Sequence, residues 1–264
     1  MTIDREALPD KSAPRPERIK PAVAHAFLDK LSVFARLDAA DEERLRHACL
    51  QVRTYKKAHD LIREGDQPGP VFVILEGWAC RYKILPNGNR QIIAFMMPGD
   101  FCDMHVGVLD EMDHNIETLT AATVATIQRP EMEALVEASP ALTRVFWWTQ
   151  LVEAAMLRAT IVSLGRRNSL ERIAHLLCEL CFRLKNVERN HVDRYVMPFS
   201  QIILADAVGL TPVHVNRVLR KLRQEGALEL GSASMTIVNL TILSGIAGFD
   251  DNYLHRRLGL SKAS

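Results

Sequence analysis

The alternation of apolar and polar positions divides the chain into three textures. From about Thr54 to Gln128 apolar residues come in short runs, "VFVIL" (71–75), "RQIIAFM" (90–96) and "TVATIQ" (123–128), rich in Val, Ile, Phe and Thr. Turn residues bound them at Glu64-Gly65-Asp66, Asn87-Gly88 and Pro98-Gly99-Asp100, so the runs predict strands. Asn87-Gly88 between two such runs predicts a hairpin, because both residues tolerate positive φ. Several short strands at this spacing predict an antiparallel sandwich or roll.

The period changes at Ser139. Ser139 is placed to cap a helix with Pro140 at its first position. A 3.5-residue repeat runs through Leu142, Val145, Thr149, Val152, Met156, Ala159 and Ser163. A helix of this length predicts either a coiled-coil-like dimer seam or one long helix packed on its own sheet. Trp147 and Trp148 on it are expected to serve packing.

After Ser169 the pattern is helical again. "SLERIAHLLCELCFRL" (169–184) is amphipathic, with Ile173, Leu177, Leu180 and Leu184 on one side. Ser200 is placed to cap a helix to about Val208, and Gly209 to end it in the left-handed region. Thr211 then caps a second helix with Pro212 at its first position, leaving the short turn of a helix-turn-helix. On that second helix Val215, Val218, Leu219 and Leu222 form one face. Val213, His214, Asn216, Arg217, Arg220 and Lys221 form the other. "ALELGSASMTIV" (227–238) reads as a strand pair, the wing of a winged helix.

Composition adds limits more than direction. The 264 residues are 48% hydrophobic and 25% charged, enough for a core without staples. Net charge is +1, so a polyanionic partner is argued only from local clustering. That clustering exists: residues 199–223 carry Arg217, Arg220, Lys221 and Arg223 against Asp206. A basic face can be mere solvated surface; joined to the turn, the caps and the wing it predicts binding to double-stranded DNA. A protein-docking role for the same unit is the competing reading. Phosphate-loop, nucleophile-elbow and zinc-hydrolase motifs do not occur, so an enzyme is not expected. The cysteines Cys49, Cys80, Cys102, Cys178 and Cys181 are odd in number and sparse, which with no signal-peptide pattern predicts a reduced, cytoplasmic protein. No apolar run reaches membrane-spanning length, so no membrane role is expected.

The segment "LADAVGLTPVHVNRVLRKLRQEG" (204–226) resembles the DNA-reading signature of the Crp/Fnr family of bacterial transcription regulators. "IREGDQPGPVFVILEGWACRYKILPNGNRQIIAFMMPGDF" (62–101) resembles that family's sensor roll, glycines included. The resemblance implies an α+β chain: an N-terminal double-stranded, jelly-roll-like β-roll, a long dimerisation helix and a C-terminal winged helix-turn-helix. The expected boundaries are a disordered tail at 1–24, the roll at 25–138, the dimerisation helix at 139–166, the winged helix at 167–250 and a tail at 251–264. It further implies a homodimer on a near-palindromic site, with RNA polymerase as a partner. Ser200, Thr211, Pro212, Val213, His214, Asn216, Arg217, Arg220 and Lys221 would form the DNA-binding set. Arg217 matches the family's guanine-reading arginine. Val213 stands where many members carry an acidic residue, and Pro212 replaces a polar or basic one.

In the roll the same resemblance argues against cyclic AMP. Cyclic-nucleotide binders of the family place a glutamate for the ribose and an arginine for the phosphate after the Gly-Asp turn. Asp103-Met104-His105 stands where Gly-Glu-Leu is expected, and His114-Asn115-Ile116 where Arg-Ser is expected. No arginine lies between Arg90 and Arg129. The effector is therefore expected to be another small molecule or to be absent, with Cys102, Asp103, His105, His114 and Asn115 as the candidate pocket. An iron–sulfur cluster needs cysteines near the N-terminus, and none precedes Cys49. No cofactor is expected. His175, Cys178 and Cys181 on one helix read as buried packing rather than a metal site.

Overall fold

The computed structural model describes residues 25–32, 37–104, 109–185, 194–232 and 234–255. The expected N-terminal tail, most of the C-terminal tail and His105 lie outside them. Two helices open the described chain, α1 (His25–Ser32) and α2 (Ala39–Ala48). Eight strands follow: β1 (Val52–Tyr55), β2 (Asp60–Ile62), β3 (Val71–Glu76), β4 (Ala79–Ile84), β5 (Arg90–Met96), β6 (Phe101–Cys102), β7 (Asn115–Thr118) and β8 (Ala122–Ile127). They form two four-stranded sheets, ordered β1-β8-β3-β6 and β2-β7-β4-β5, with every pairing antiparallel.

Two glycines let this roll turn. Gly88, at φ +83°, closes the β4–β5 hairpin behind Asn87. Gly77 sits between β3 and β4, where a Cβ would come within 2.3 Å of the Ala121 carbonyl oxygen. The core between the sheets holds Val73, Ile74, Ile116, Val124 and Ile127, all fully enclosed.

Helix α3 (Arg129–Ala138) leads into α4 (Pro140–Arg166), a 27-residue helix. Ser139 caps it, accepting a hydrogen bond from the Ala141 amide, with Pro140 next in line. Its first turns are part of the roll: Leu142, Val145 and Phe146 are buried in that core. Helix α5 (Ser169–Leu184) begins at an Asn168–Glu171 capping box.

The remaining elements are β9 (Tyr195–Met197), α6 (Gln201–Val208), α7 (Pro212–Gln224), β10 (Leu228–Leu230), β11 (Met235–Ile237) and α8 (Leu240–Ala247), then a 3-10 turn at Asn252–Leu254. The wing is a three-stranded antiparallel sheet, β10-β11-β9. Sequence periodicity anticipated the β10–β11 pair and missed β9 and α8. Both are too short to show a period by themselves and are held by α5 and the wing.

The winged helix and the roll share one hydrophobic cluster. Phe199 stacks on Phe95 at 5.0 Å between centroids and meets Trp78 edge-on at 5.6 Å. The Gln91 side-chain amide on β5 donates to the Ala207 carbonyl at the end of α6, at 3.1 Å.

Candidate functional site

The helix-turn-helix is built as its residues dictate. Gly209 ends α6 in the left-handed region, φ 64°. The Thr211 hydroxyl accepts a hydrogen bond from the His214 amide at 3.3 Å, and Pro212 opens α7. Val215, Val218, Leu219 and Leu222 are buried against α5 and α6, which fixes the opposite face outward. There Val213, Arg217, Arg220 and Lys221 are exposed. Among the described residues no hydrogen bond or ion pair engages Arg217, Arg220 or Lys221. A row of exposed cations on a helix face whose back is fixed by packing suits a phosphate backbone.

Two candidate residues are placed differently from the expectation, and a third has a partner that the sequence did not show. His214 turns away from the outward face: its ring nitrogen lies 3.0 Å from the Ser169 hydroxyl on α5. Ser200 stands at the start of α6, but its side chain makes no capping hydrogen bond. Asn216 donates its amide to Gln201 Oε1 at 2.8 Å. Gln201 was missed because its role depends on a partner 15 positions away, which no local pattern reveals.

In the roll, two residues of the candidate pocket, Asp103 and His114, are paired with each other and with neighbouring charges. Arg81 on β4, 8% exposed, donates from Nη2 to Asp103 Oδ1 at 2.6 Å and from Nη1 to Glu153 on α4. His114 places Nε2 at 2.7 Å from Asp103 Oδ2 and Nδ1 at 2.6 Å from Asp113. Asp103 adopts φ 56°, an uncommon conformation outside glycine, with its carboxylate between the Arg81 guanidinium and the His114 ring. Burial disfavours its charge, but the His114 hydrogen bond and the Arg81 guanidinium prevail and hold it below the usual carboxylate range. Burial likewise opposes the charged form of His114, and bonds to Asp103 and Asp113 outweigh it and raise its pKa.

The other pocket candidates are engaged elsewhere. Cys102 is enclosed beside Met96, sulfur to sulfur 3.7 Å, and burial pushes its thiol well up. The Asn115 side chain accepts from the Glu64 amide at 3.0 Å. Arg81, which precedes Arg90 in the chain, brings a guanidinium to this corner from β4.

A second charged node joins three parts of the chain. Asp100, just past the Gly99 turn, pairs with Lys30 of α1 and, at 2.7 Å, with Arg183 of α5. Arg183 also donates to the Phe95 carbonyl at 2.9 Å. A cavity of about 80 Å³ lies beside it, lined by Phe95, Trp148, Thr149, Val152 and Met156 among others.

The long helix presents two different faces. Leu142 and Val145 are buried in the roll core, while Thr149, Val152 and Met156 line that cavity; Ser163 is buried and Ala159 half-buried. The heptad read from sequence is the helix's inward face. The outward face carries Trp147, Leu151, Ile161 and Val162, each more than half exposed.

His175 and Cys178 are buried: the His175 ring lies 5.0 Å from that of Phe249, and the Cys178 thiol 3.6 Å from the Ser244 hydroxyl. Cys181 is buried as well. Among the described residues no cluster of His, Cys, Asp or Glu could hold a metal ion. No single described helix is long and apolar enough to cross a membrane.

An antiparallel roll, a long helix and a winged helix-turn-helix with an open basic face define a DNA-binding transcription regulator. Comparison with known proteins agrees. Residues 52–139 match the cyclic nucleotide-binding domain and residues 171–246 the Crp-like helix-turn-helix domain. The chain is 30% identical over 202 residues to the transcriptional activatory protein AadR of Rhodopseudomonas palustris, covering 76% of this chain and 82% of that one. It is 28% identical over 216 residues to the nitrogen fixation regulation protein FixK of Bradyrhizobium diazoefficiens, covering 82% and 90%. The solved structure of FixK2 from Bradyrhizobium japonicum superposes with a TM-score of 0.66 at 24% identity, over 76% of this chain and 98% of that one. The chain belongs to the Crp/Fnr family, and its relatives are transcription regulators rather than enzymes.

Proposed function

We propose that this regulator acts in the cytoplasm as a homodimer on a near-palindromic site in double-stranded DNA, with α7 of each copy in successive major grooves. The outward face of α7 carries the reading: Arg217, Arg220 and Lys221 are exposed and free of ion pairs among the described residues. Arg217 forks onto a guanine, while Arg220 and Lys221 neutralise phosphates. Ser200, Thr211, Pro212, Val213 and Asn216 complete the surface, with Gln201 orienting Asn216. RNA polymerase is the partner to which the bound dimer presents its remaining surface.

The dimer seam is assigned to Trp147, Leu151, Ile161 and Val162. Residues 147 and 161 lie two heptads apart, and Leu151 one turn along, which is the spacing of a coiled-coil seam. Apolar residues this exposed on a helix whose other face is buried support a partner there.

Cyclic AMP is not the effector. The corner that would hold a cyclic phosphate contains Asp103 clamped by Arg81 and His114, and Arg81 also reaches Glu153 on α4. The roll thus grips the long helix through the chain's own ion pairs, so DNA binding needs no added ligand. Sedimentation and gel-shift experiments on protein refolded from denaturant, and so freed of small molecules, test this. The expected result is a dimer that shifts DNA; Leu151→Glu should give folded monomers that do not. Refolded protein that regains its fold yet binds DNA only after a small molecule is added contradicts the ligand-free account.

A further inference from the structure

We propose that Val213 reads the C5 methyl group of a thymine in each half-site, so that a T·A pair is required beside the guanine contacted by Arg217. The inference rests on the DNA-binding function proposed above and specifies its target.

Val213 is the second residue of α7, and the N-terminal part of a recognition helix is the part that meets base edges. It is 72% exposed, more than any other large hydrophobic side chain among the described residues. Core packing does not account for it, because Val215, Val218, Leu219 and Leu222 already form the buried face. Val213 has no donor or acceptor and cannot use the hydrogen-bonding pattern of a base edge. The apolar group that a base pair offers in the major groove is the thymine methyl. Burying both removes apolar surface from water at no cost in unpaired polar groups. An acidic side chain at this position would instead accept from cytosine N4.

Register follows from helix geometry. Val213 and Arg217 stand four residues apart on one face, with Cβ atoms about 6 Å apart. That spans about two base-pair steps of 3.4 Å, so the thymine lies within two pairs of the guanine. Asn216 lies at the edge of that face, half-buried, its amide nitrogen held by Gln201. It cannot fill the methyl's place.

The test uses the full-length protein and its selected operator, measured by fluorescence anisotropy. Each thymine is replaced in turn by deoxyuridine, which deletes only the methyl. At one position per half-site the replacement should weaken binding about four-fold, the worth of one buried methyl. Val213→Ala should bind more weakly and lose most of that discrimination. Val213→Glu should shift preference at that pair from T·A to C·G. Val213 is exposed, so each variant should keep its melting temperature. Tight, sequence-specific binding that is indifferent to uracil at every position would overturn the thymine contact and leave DNA recognition standing. Failure of the wild type to bind any duplex would overturn both.

Discussion

The sensor corner of the roll and the reading face of α7 both concentrate basic side chains, and they treat them in opposite ways. Around Arg81 every charge has a counter-charge: Asp103 and Glu153 hold the guanidinium, and His114 lies between Asp103 and Asp113. Around Arg217 the cations face solvent with no carboxylate engaged among the described residues. Charges closed on one another cannot recruit an outside anion without breaking a buried pair. Charges left open on a rigid face can. Local basic content alone therefore does not locate a binding site; what decides is whether the fold supplies the counter-ion.

The largest effect should come from opening the closed corner. Arg81→Ala leaves Glu153 without its guanidinium partner and Asp103 with His114 alone, and should cost about 3–5 kcal/mol of stability in urea unfolding. Replacing Arg81, Asp103 and Glu153 together with apolar residues of similar size should recover most of that loss. Equal stability of the single and triple variants would mean that the corner is not a coupled unit.

Opening nothing and removing one free cation should touch binding alone. Arg217→Ala should weaken operator affinity by about 1–3 kcal/mol and relax the choice of base at its guanine. Its unfolding free energy should stay within about 0.5 kcal/mol of wild type. A large loss of stability would show that Arg217 belongs with Arg81 and not opposite to it.

A smaller effect separates the regions by pH. His114 carries a raised pKa, so its bonds contribute fully below its ordinary value near 6.5 and are lost as pH rises through the elevated value. Asp103, held low, works in the other direction and loses its contribution only in acid. Unfolding free energy should therefore fall as pH rises from about 6.5, and His114→Ala should flatten that slope. The smallest change is expected from Lys221→Ala: affinity falls modestly for all sequences, and the slope of log K against log salt drops by about one.

Sequence and structure agreed where the signal was local. The caps at Ser139 and Thr211, the left-handed Gly209, the Asn87-Gly88 hairpin and the buried face of α7 each depend on residues within one or two turns. Where residues distant in the chain meet, periodicity was silent or misleading. The heptad through Leu142, Val145 and Thr149 is real, but only the roll's position shows that it faces inward. Nothing near Arg81 in the chain marks it, because its partners lie 22 and 72 residues away. His214 lay on the outward face by helical spacing, yet Ser169 on a neighbouring helix turns its ring aside. Such contacts depend on the packing of elements, which a single sequence does not display.

Selection of binding sites from random duplex DNA by the purified protein bears most directly on the whole account. The enriched sequences should share a two-fold symmetric pattern with half-site centres one helical turn apart, about 10–10.5 base pairs. Failure to enrich any sequence at low salt, or enrichment of a lone half-site with no symmetric mate, would contradict it.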